Sequence, residues 1–322
     1  MIRTRAAARL SPLGLCLASC ASPGGEVSLL LEPEAAIIDG IPAGPGAEEL
    51  QDGWSVTFSK YIMSLGPVEL RSRSGEARAF DSARWAVDLR RLPARGSALW
   101  EISGLEEGRW DVHFATEASG YERHDTVSVS DFEALVAGGL THIVSGTLEH
   151  PSGVSCPPAS VKAIPSGAEP VGQNAASDDC YARSRLTFSI QLRAEVTYGP
   201  CSIDGLPGVA AVAEQLATAA ISMHGDHLFF GGFPEGSEGE VRRYAQWLAD
   251  SDLNLDGSVT GAELEQIQPA MLAEFDERFP LGGSPLRPID NLLTYVASQL
   301  STQGHFAGEG ECSVGFEKLD VP

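Results

Sequence analysis

Oxygen-bearing side chains recur at close, regular spacing between residues 252 and 263. Positions 1, 3 and 5 of this segment and the glutamate at position 12 have the spacing that wraps a chain around a calcium ion. Gly257 at position 6 permits the sharp turn that such a loop needs. The predicted ligands are Asp252, Asn254, Asp256, Ser258 through its carbonyl, Thr260 and Glu263. The alternative interpretation is an Asp/Asn/Gly turn that binds no ion.

The segment resembles the calcium loop of an EF-hand. Apolar residues flank it at helical spacing: Tyr244, Trp247 and Leu248 before it, and Leu264, Ile267 and Met271 after it. It departs from that family at Ser251, a position that is usually apolar, and at Pro269, which interrupts the exit helix. EF-hands usually pair through the residue at position 8, here Val259, but we find only one copy. The resemblance therefore implies Ca²⁺ as a structural cofactor, with affinity near the extracellular range of about 10⁻⁴–10⁻³ M.

His224 and His227 lie in a second segment that carries metal-binding side chains, residues 222–228. In an extended strand they point to opposite faces, but a turn at Gly225 would bring both imidazoles together. A third imidazole from a neighbouring strand would complete a zinc or copper site. The candidates for that third ligand are His142 and His150. The alternative is a pair of hydrogen-bonded histidines at a strand end.

Four cysteines beyond the N-terminal region, and a strand over Leu186–Val196 that runs to Gly199-Pro200-Cys201, resemble the bacterial methanobactin-associated copper-binding partner proteins. The resemblance implies copper binding, although the metal ligands of that family have no identifiable counterparts in this sequence. Binding or handling of copper or zinc through His224 and His227, with calcium in support, is therefore the alternative function to structural calcium binding.

The common catalytic signatures are missing from the sequence. It has no GxSxG elbow, no HExxH pair and no phosphate-binding glycine loop. His113, His124 and His305 stand alone, and isolated histidines are structural more often than catalytic. We therefore expect a non-catalytic protein.

Strands must position most of these residues. From Trp54 apolar residues alternate with polar ones in short runs separated by turn residues, which predicts an antiparallel β-sandwich over residues 53–235. Within it Gly104–Phe114 resembles the Gly-Leu-x-x-Gly-x-Trp-x-Val hairpin of transthyretin-like bacterial sandwich modules. Helical periodicity then predicts a segment over 236–305 that carries the calcium loop, followed by a tail over 306–322. The predicted class is α+β, with a transthyretin- or immunoglobulin-like sandwich.

The N-terminus has the features of an export signal. Three arginines precede a short apolar stretch, and Leu17-Ala18-Ser19-Cys20 resembles the bacterial lipobox. That resemblance implies cleavage after residue 19 and a lipid on Cys20, which would anchor the protein in a membrane of the bacterial cell envelope. The outer membrane or the cell surface is the expected location. Residues 20–52 are predicted to be a tether that contributes one edge strand.

Cysteine usage agrees with export. Cys156, Cys180, Cys201 and Cys312 allow three pairings in an oxidising compartment. We prefer the sequence-local pairing, Cys156 with Cys180 and Cys201 with Cys312. A metal–thiolate site is disfavoured because no CxxC spacing occurs.

The chain is strongly acidic, with a formal net charge of −22. The predicted signal contains three arginines and no acidic residue, so its removal would leave −25. Such a charge repels nucleic acid and anionic surfaces. We therefore expect no nucleic-acid partner, and a lipid membrane and an envelope protein as the expected partners.

Overall fold

Strands dominate the protein, as the alternating sequence pattern predicts. The computed structural model describes residues 24–232, 242–268, 271 and 286–321. It is 42% strand and 15% helix, which confirms a sheet-rich α+β fold. Strand β13 (Arg185–Leu192) shows the underlying pattern, because exposed and buried side chains alternate along its whole length.

The described strands are β1 (Gly25–Pro33), β2 (Ser55–Leu65), β3 (Val68–Ser72), β4 (Arg78–Asp81), β5 (Trp85–Asp88), β6 (Ser97–Leu105), β7 (Gly108–Thr116), β8 (Glu122–Arg123), β9 (His142–Glu149), β10 (Val154–Ser155), β11 (Gly172–Gln173), β12 (Asp179–Ala182), β13, β14 (Val196–Ile203), β15 (Leu206–Pro207), β16 (Val209–Ala211), β17 (Leu216–Met223), β18 (Ser258–Thr260), β19 (Gly304–Phe306) and β20 (Glu311–Gly315).

Helices in the described residues are few and short. They are α1 (Ala35–Asp39), α2 (Val129–Gly138), α3 (Gln246–Ala249), α4 (Gly261–Leu264) and α5 (Leu292–Leu300), with 3-10 helices at Leu89–Arg91 and Gly225–Phe229. None of the helices in this part of the chain has the length and apolar character needed to cross a membrane. Residues 1–23, including Cys20, lie outside the described residues, as does Pro269, where a kink is expected.

Three larger sheets and one small sheet arrange these strands. Their orders are β19-β17-β1-β6, β18-β13-β9-β2-β5-β8 and β15-β14-β7-β3-β4, with β16 on β7 and β20 on β14, and β10-β12-β11 for the small sheet. One cluster of buried apolar side chains takes members from all three larger sheets, for example Leu29, Phe188 and Phe114. Trp247, Leu264 and Leu300 belong to the same cluster. The helical segment therefore packs into the core that the strands form.

The N-terminal strand differs from the prediction. Strand β1 is an interior strand, parallel to β17 on one side and antiparallel to β6 on the other, not an edge strand of a tether. Val27, Leu29 and Leu31 have no exposed surface, and Leu50, near the end of the predicted tether, is equally buried. The physical reason is the unbroken apolar run at Leu29–Leu31, which suits a strand with neighbours on both sides better than an edge.

Both predicted disulfides are confirmed. Cys156 is bonded to Cys180, and Cys201 to Cys312. The second bond joins residues that face each other on β14 and β20, so it fastens the C-terminal strand to the sheet. The loop that it closes contains the whole segment from residue 202 to residue 311.

A buried histidine outside the candidate site makes the fold sensitive to acid. His142 is fully buried, and burial lowers its pKa to about 3. Between this value and the ordinary pKa of 6.5 the unfolded chain binds a proton that the folded protein does not, so stability falls as the pH falls through this window. We expect the His142→Gln variant to lose less stability on acidification, by about 1.4 kcal/mol per pH unit. Urea denaturation from pH 7 to pH 4 measures this, and equal slopes for the two proteins would contradict it.

Candidate metal centre

Three histidines and two carboxylates converge at one end of the four-stranded sheet. Parallel strands β1 and β17 end in register, so Glu34 and His224, the residues that follow them, lie side by side. Strand β19 pairs antiparallel with β17 on its other side and contributes His305, opposite Ser222. The strand pairing therefore places a carboxylate and two imidazoles from distant parts of the sequence at the same end of the sheet.

The turn after β17 brings in the remaining two residues, Asp226 and His227. Residues Gly225–Phe229 form a 3-10 helix, so His227 does not point away from His224 as it would in a continued strand. Glycine is required at its start, because a Cβ on Gly225 would lie 2.5 Å from the side chain of Ile37. The Gly225 amide also donates to Glu34 Oε2 at 3.0 Å, which orients that carboxylate. This is the turn on which convergence of the two histidines depends.

The imidazole rings are close enough to share an ion. The His224 and His305 ring centroids are 4.1 Å apart, and those of His227 and His305 are 5.2 Å apart. One potential ligand atom from each of the three histidines lies within 4.8 Å of the other two, and the same holds for the set Glu34, His224 and Asp226. A tetrahedral ion about 2.1 Å from each ligand holds its ligands about 3.4 Å from one another, so side-chain rotations that bring the atoms of either set up to about 1.4 Å closer would place them on one ion.

Hydrogen bonds fix which nitrogen of His227 is free. Its Nδ1 lies 2.6 Å from Thr302 Oγ1, and that hydroxyl donates its only proton to the Gln299 carbonyl at 2.8 Å. Thr302 therefore accepts from His227 Nδ1–H. The Nε2 atom keeps its lone pair, which is the arrangement that metal-binding histidines adopt when a neighbouring group holds the other ring nitrogen.

His224 is held in the opposite sense. Its Nε2 lies 3.2 Å from the Gly308 carbonyl, which accepts only, so Nε2 carries the proton. In the neutral ring Nδ1 then keeps the lone pair, and this atom lies 3.9 Å from Glu34 Oε1. The free nitrogen of His224 thus faces the carboxylate that completes the second ligand set.

Burial keeps two of the imidazoles in the form that binds metals. It lowers the pKa of His227 to about 3 and that of His305 to about 4, so both are neutral at pH 7. Burial, followed by the charge of Asp226, raises the pKa of Glu34 to about 8. A divalent cation between these groups would favour the ionised form of Glu34 and displace its proton.

Arg243 positions Asp226. Its guanidinium donates to Asp226 Oδ2, with Nε at 2.7 Å, and Nη2 reaches Glu48 at 3.1 Å. Although burial opposes the charge on Asp226, the permanently charged guanidinium of Arg243 holds the pKa of Asp226 below its ordinary value. Asp226 Oδ1 is buried and accepts no hydrogen bond. One oxygen of Asp226 is therefore fixed by arginine, and the other is available to a cation.

The centre lies in the wall of a cavity of about 270 Å³. Phe230 and Thr302 contribute to the lining, and three further acidic residues line it: Glu48, Glu309 and Glu311. Carboxylates around a cleft raise the local concentration of cations and disfavour anions. The cavity therefore suits entry of a metal cation.

The predicted calcium loop is a separate feature. Its strand β18 pairs in parallel with β13, and Val259 at position 8 lies opposite Phe188. The backbone pairing that an EF-hand makes with a second loop is made here with the sheet. This explains how a single loop is held without a partner loop.

Within the loop, Asp252 has a free and fully buried oxygen. Its Oδ2 accepts from Gly257 N at 3.1 Å and from Arg183 Nε at 3.2 Å, whereas Oδ1 is buried without a hydrogen-bond partner. Glu263 accepts from Thr260 N at 2.9 Å and from Leu253 N at 3.2 Å, so position 12 reaches back across the loop. Burial raises the pKa of both carboxyls. A cation would offset this cost.

The remaining loop residues form turns. Asn254 Oδ1 accepts from Asp256 N at 2.8 Å, and Asp256 Oδ1 accepts from Ser258 N at 2.8 Å. Such short-range bonds also occur in turns that bind no ion. The unpartnered oxygen of Asp252 is therefore the observation in this loop that favours calcium.

The third histidine of the centre was not the predicted one. His142 Nε2 accepts from Gln303 Nε2 at 2.7 Å, and His150 packs edge-on against Trp54 at 5.3 Å, so neither joins His224 and His227. His305 takes that place because β19 pairs with β17, which no local sequence signal indicates. Glu34 was missed for the same reason.

Comparison with known proteins adds no further assignment. No family profile, no curated protein and no solved structure matches the chain. What the protein does must therefore be inferred from the chemistry of the two sites.

Proposed function

We propose that the protein binds a transition-metal ion at His224, His227 and His305, with Glu34 or Asp226 as a further ligand. The observation that supports this most strongly is the convergence of three imidazoles, two of them buried and that of His305 half-buried, with one ring nitrogen of His224 and one of His227 held by neighbouring groups. Histidines that serve only the core have no need of a shared cavity. The sequence predicts copper or zinc binding as the alternative to structural calcium, and we propose it here as the main function.

The donor set favours Zn²⁺ or Cu²⁺. Imidazole nitrogen and carboxylate oxygen suit these ions, whereas Cu⁺ prefers the sulfur of cysteine and methionine. Cys312 lines the cavity, but its sulfur is bonded to Cys201. The site therefore has no thiolate to offer.

Metal analysis of the purified protein tests the proposal. After loading with Zn²⁺ or Cu²⁺ and gel filtration, we expect one equivalent of metal in the wild type and none in the His224→Ala, His227→Ala double variant. Equal metal content in both proteins would overturn the assignment.

A structural calcium ion in residues 252–263 is the second proposed role. Its support is the buried, unpartnered Asp252 Oδ1 within a loop of EF-hand spacing. The predicted ligands are unchanged: Asp252, Asn254, Asp256, Ser258, Thr260 and Glu263. Two disulfides agree with export, so we also propose a lipid anchor at Cys20 in the bacterial envelope. A sandwich-type module is the arrangement that we propose for the sheet-rich fold.

Calcium is expected to stabilise the fold. At about 10 mM Ca²⁺ and an affinity in the extracellular range, the free energy of unfolding should rise by about 1.4–2.7 kcal/mol. Chemical denaturation in CaCl₂ and in EDTA measures this, with MgCl₂ as the control for ionic strength. The Asp252→Asn, Glu263→Gln double variant should show no calcium effect. A rise of the same size in that variant would place the calcium elsewhere.

A further inference from the structure

We propose that calcium in residues 252–263 and the transition metal at the histidine centre bind cooperatively, each strengthening the other. This inference rests on the proposed function of both sites. The two segments that flank the calcium loop end at residues that hold the ligands of the metal centre. The loop therefore supports the geometry of that centre from two directions.

The first connection runs from the loop back to Arg243. Asp252 N donates to the Ala249 carbonyl at 3.3 Å, and Ser251 Oγ donates to the Trp247 carbonyl at 2.8 Å, so the loop continues directly from helix α3. Just before α3, Tyr244 N donates to the Phe229 carbonyl at 2.8 Å. This pairing fixes the backbone beside Arg243, whose guanidinium holds Asp226.

The Arg243 side chain is held as firmly as its backbone. It lies over the Phe230 ring, with the guanidinium carbon 5.1 Å from the ring centroid, and only 8% of the residue is exposed. The Asp226–Arg243 pair is therefore buried, and displacement of either partner would leave an uncompensated charge. A change at the start of the calcium loop thus acts on the Asp226–Arg243 ion pair, and breaking this buried pair costs much free energy.

The second connection runs from the end of the loop to His227. Glu263 lies in helix α4, and the Ile267 carbonyl that follows accepts from Leu292 N at 2.9 Å, at the first residue of helix α5. Thr302 lies two residues beyond the end of α5, and its hydroxyl accepts from His227 and donates to the Gln299 carbonyl in the last turn of that helix. One helix thus connects the end of the calcium loop to the group that sets the free nitrogen of His227.

Calcium has a direct effect on the starting point of both connections. Asp252 and Glu263 are buried carboxyls whose mutual repulsion opposes the closed loop, and a cation removes that repulsion. Closing the loop holds α3 and α4 in place, and with them Arg243 and Thr302. By linkage, the metal ion that selects the same arrangement must raise calcium affinity by the same factor.

Two calorimetric titrations with Zn²⁺ test the inference, one without calcium and one with saturating calcium. The buffer contains no EGTA, because this chelator also binds Zn²⁺. We expect calcium to tighten Zn²⁺ binding by at least about 5-fold, the lower end of ordinary coupling between sites. The visible spectrum of bound Co²⁺ confirms that the histidine centre is the site observed. The Asp252→Asn, Glu263→Gln double variant should bind Zn²⁺ with the calcium-free affinity under both conditions.

The outcomes separate this inference from the proposed function. Absence of Zn²⁺ binding both without calcium and with saturating calcium would refute the metal centre itself. Equal or weaker Zn²⁺ affinity with calcium, or no binding of calcium at all, would refute the coupling and leave the metal centre standing. The Thr302→Val variant serves as a further check, since it should reduce the calcium effect while circular dichroism shows an intact fold.

Discussion

The His227→Ala variant is expected to bind Zn²⁺ at least about 100-fold more weakly than the wild type, because loss of a ligand should exceed the roughly 10–100-fold cost of losing a group that hydrogen-bonds to a ligand. The His305→Ala variant should show a loss of similar size, although His305 is distant in sequence from the other two histidines. Competition titration with a chromophoric chelator measures both affinities. The loss of Zn²⁺ affinity in the His305→Ala variant is the more informative result, since no sequence pattern assigns His305 to the site.

His150→Ala is the matched control for these variants. His150 is a histidine of the same sheet-rich fold, but it packs against Trp54 and lies outside both ligand sets. Its replacement should leave Zn²⁺ affinity within about 2-fold of the wild type, because surface changes away from a site alter energies by about 0.5 kcal/mol or less. A loss in the control that equals the loss in His227→Ala would indicate a general effect of histidine number.

Removing the Cys201–Cys312 bond is expected to cost about 4.8 kcal/mol of stability, the loop-entropy value for a separation of 111 residues. The Cys201→Ser, Cys312→Ser double variant tests this by urea denaturation. The cost is large relative to the 5–15 kcal/mol that stabilises ordinary domains. Partial unfolding of this variant at 37 °C is therefore expected.

The other disulfide supplies the control. Cys156 and Cys180 are separated by 24 residues, so their removal should cost about 3.5 kcal/mol by the same relation. An equal or greater cost for this shorter loop would show that strain or local contacts, and not loop closure, decide the contribution of each bond.

Features that depend on local spacing were predicted correctly. Alternation of apolar residues indicated the strands, and preference for sequence-local pairing gave both disulfides. The possibility that a turn at Gly225 unites His224 and His227 also came from local chemistry, since glycine permits the close approach to Ile37. In each case, the signal lies in the type or spacing of residues along the chain, even where the contact that results is long-range, as in the Cys201–Cys312 bond.

Features that depend on long-range pairing were not predicted. Glu34 reaches the centre because β1 runs parallel to β17, and His305 because β19 pairs with β17. The order of strands so distant in sequence is determined by the packing of the whole core. The residues around Glu34 therefore contain no pattern that predicts which strands will lie beside it. The interior position of β1 was not predicted for the same reason. This position places Glu34 beside His224 in the metal centre.

Anomalous X-ray diffraction from crystals of the Zn²⁺-loaded protein, recorded at the zinc edge, tests the central claim most directly. The metal centre proposed here predicts one strong peak, within about 2.1 Å of nitrogens from His224, His227 and His305. A peak confined to residues 252–263, or no ordered zinc beside these histidines, would contradict it.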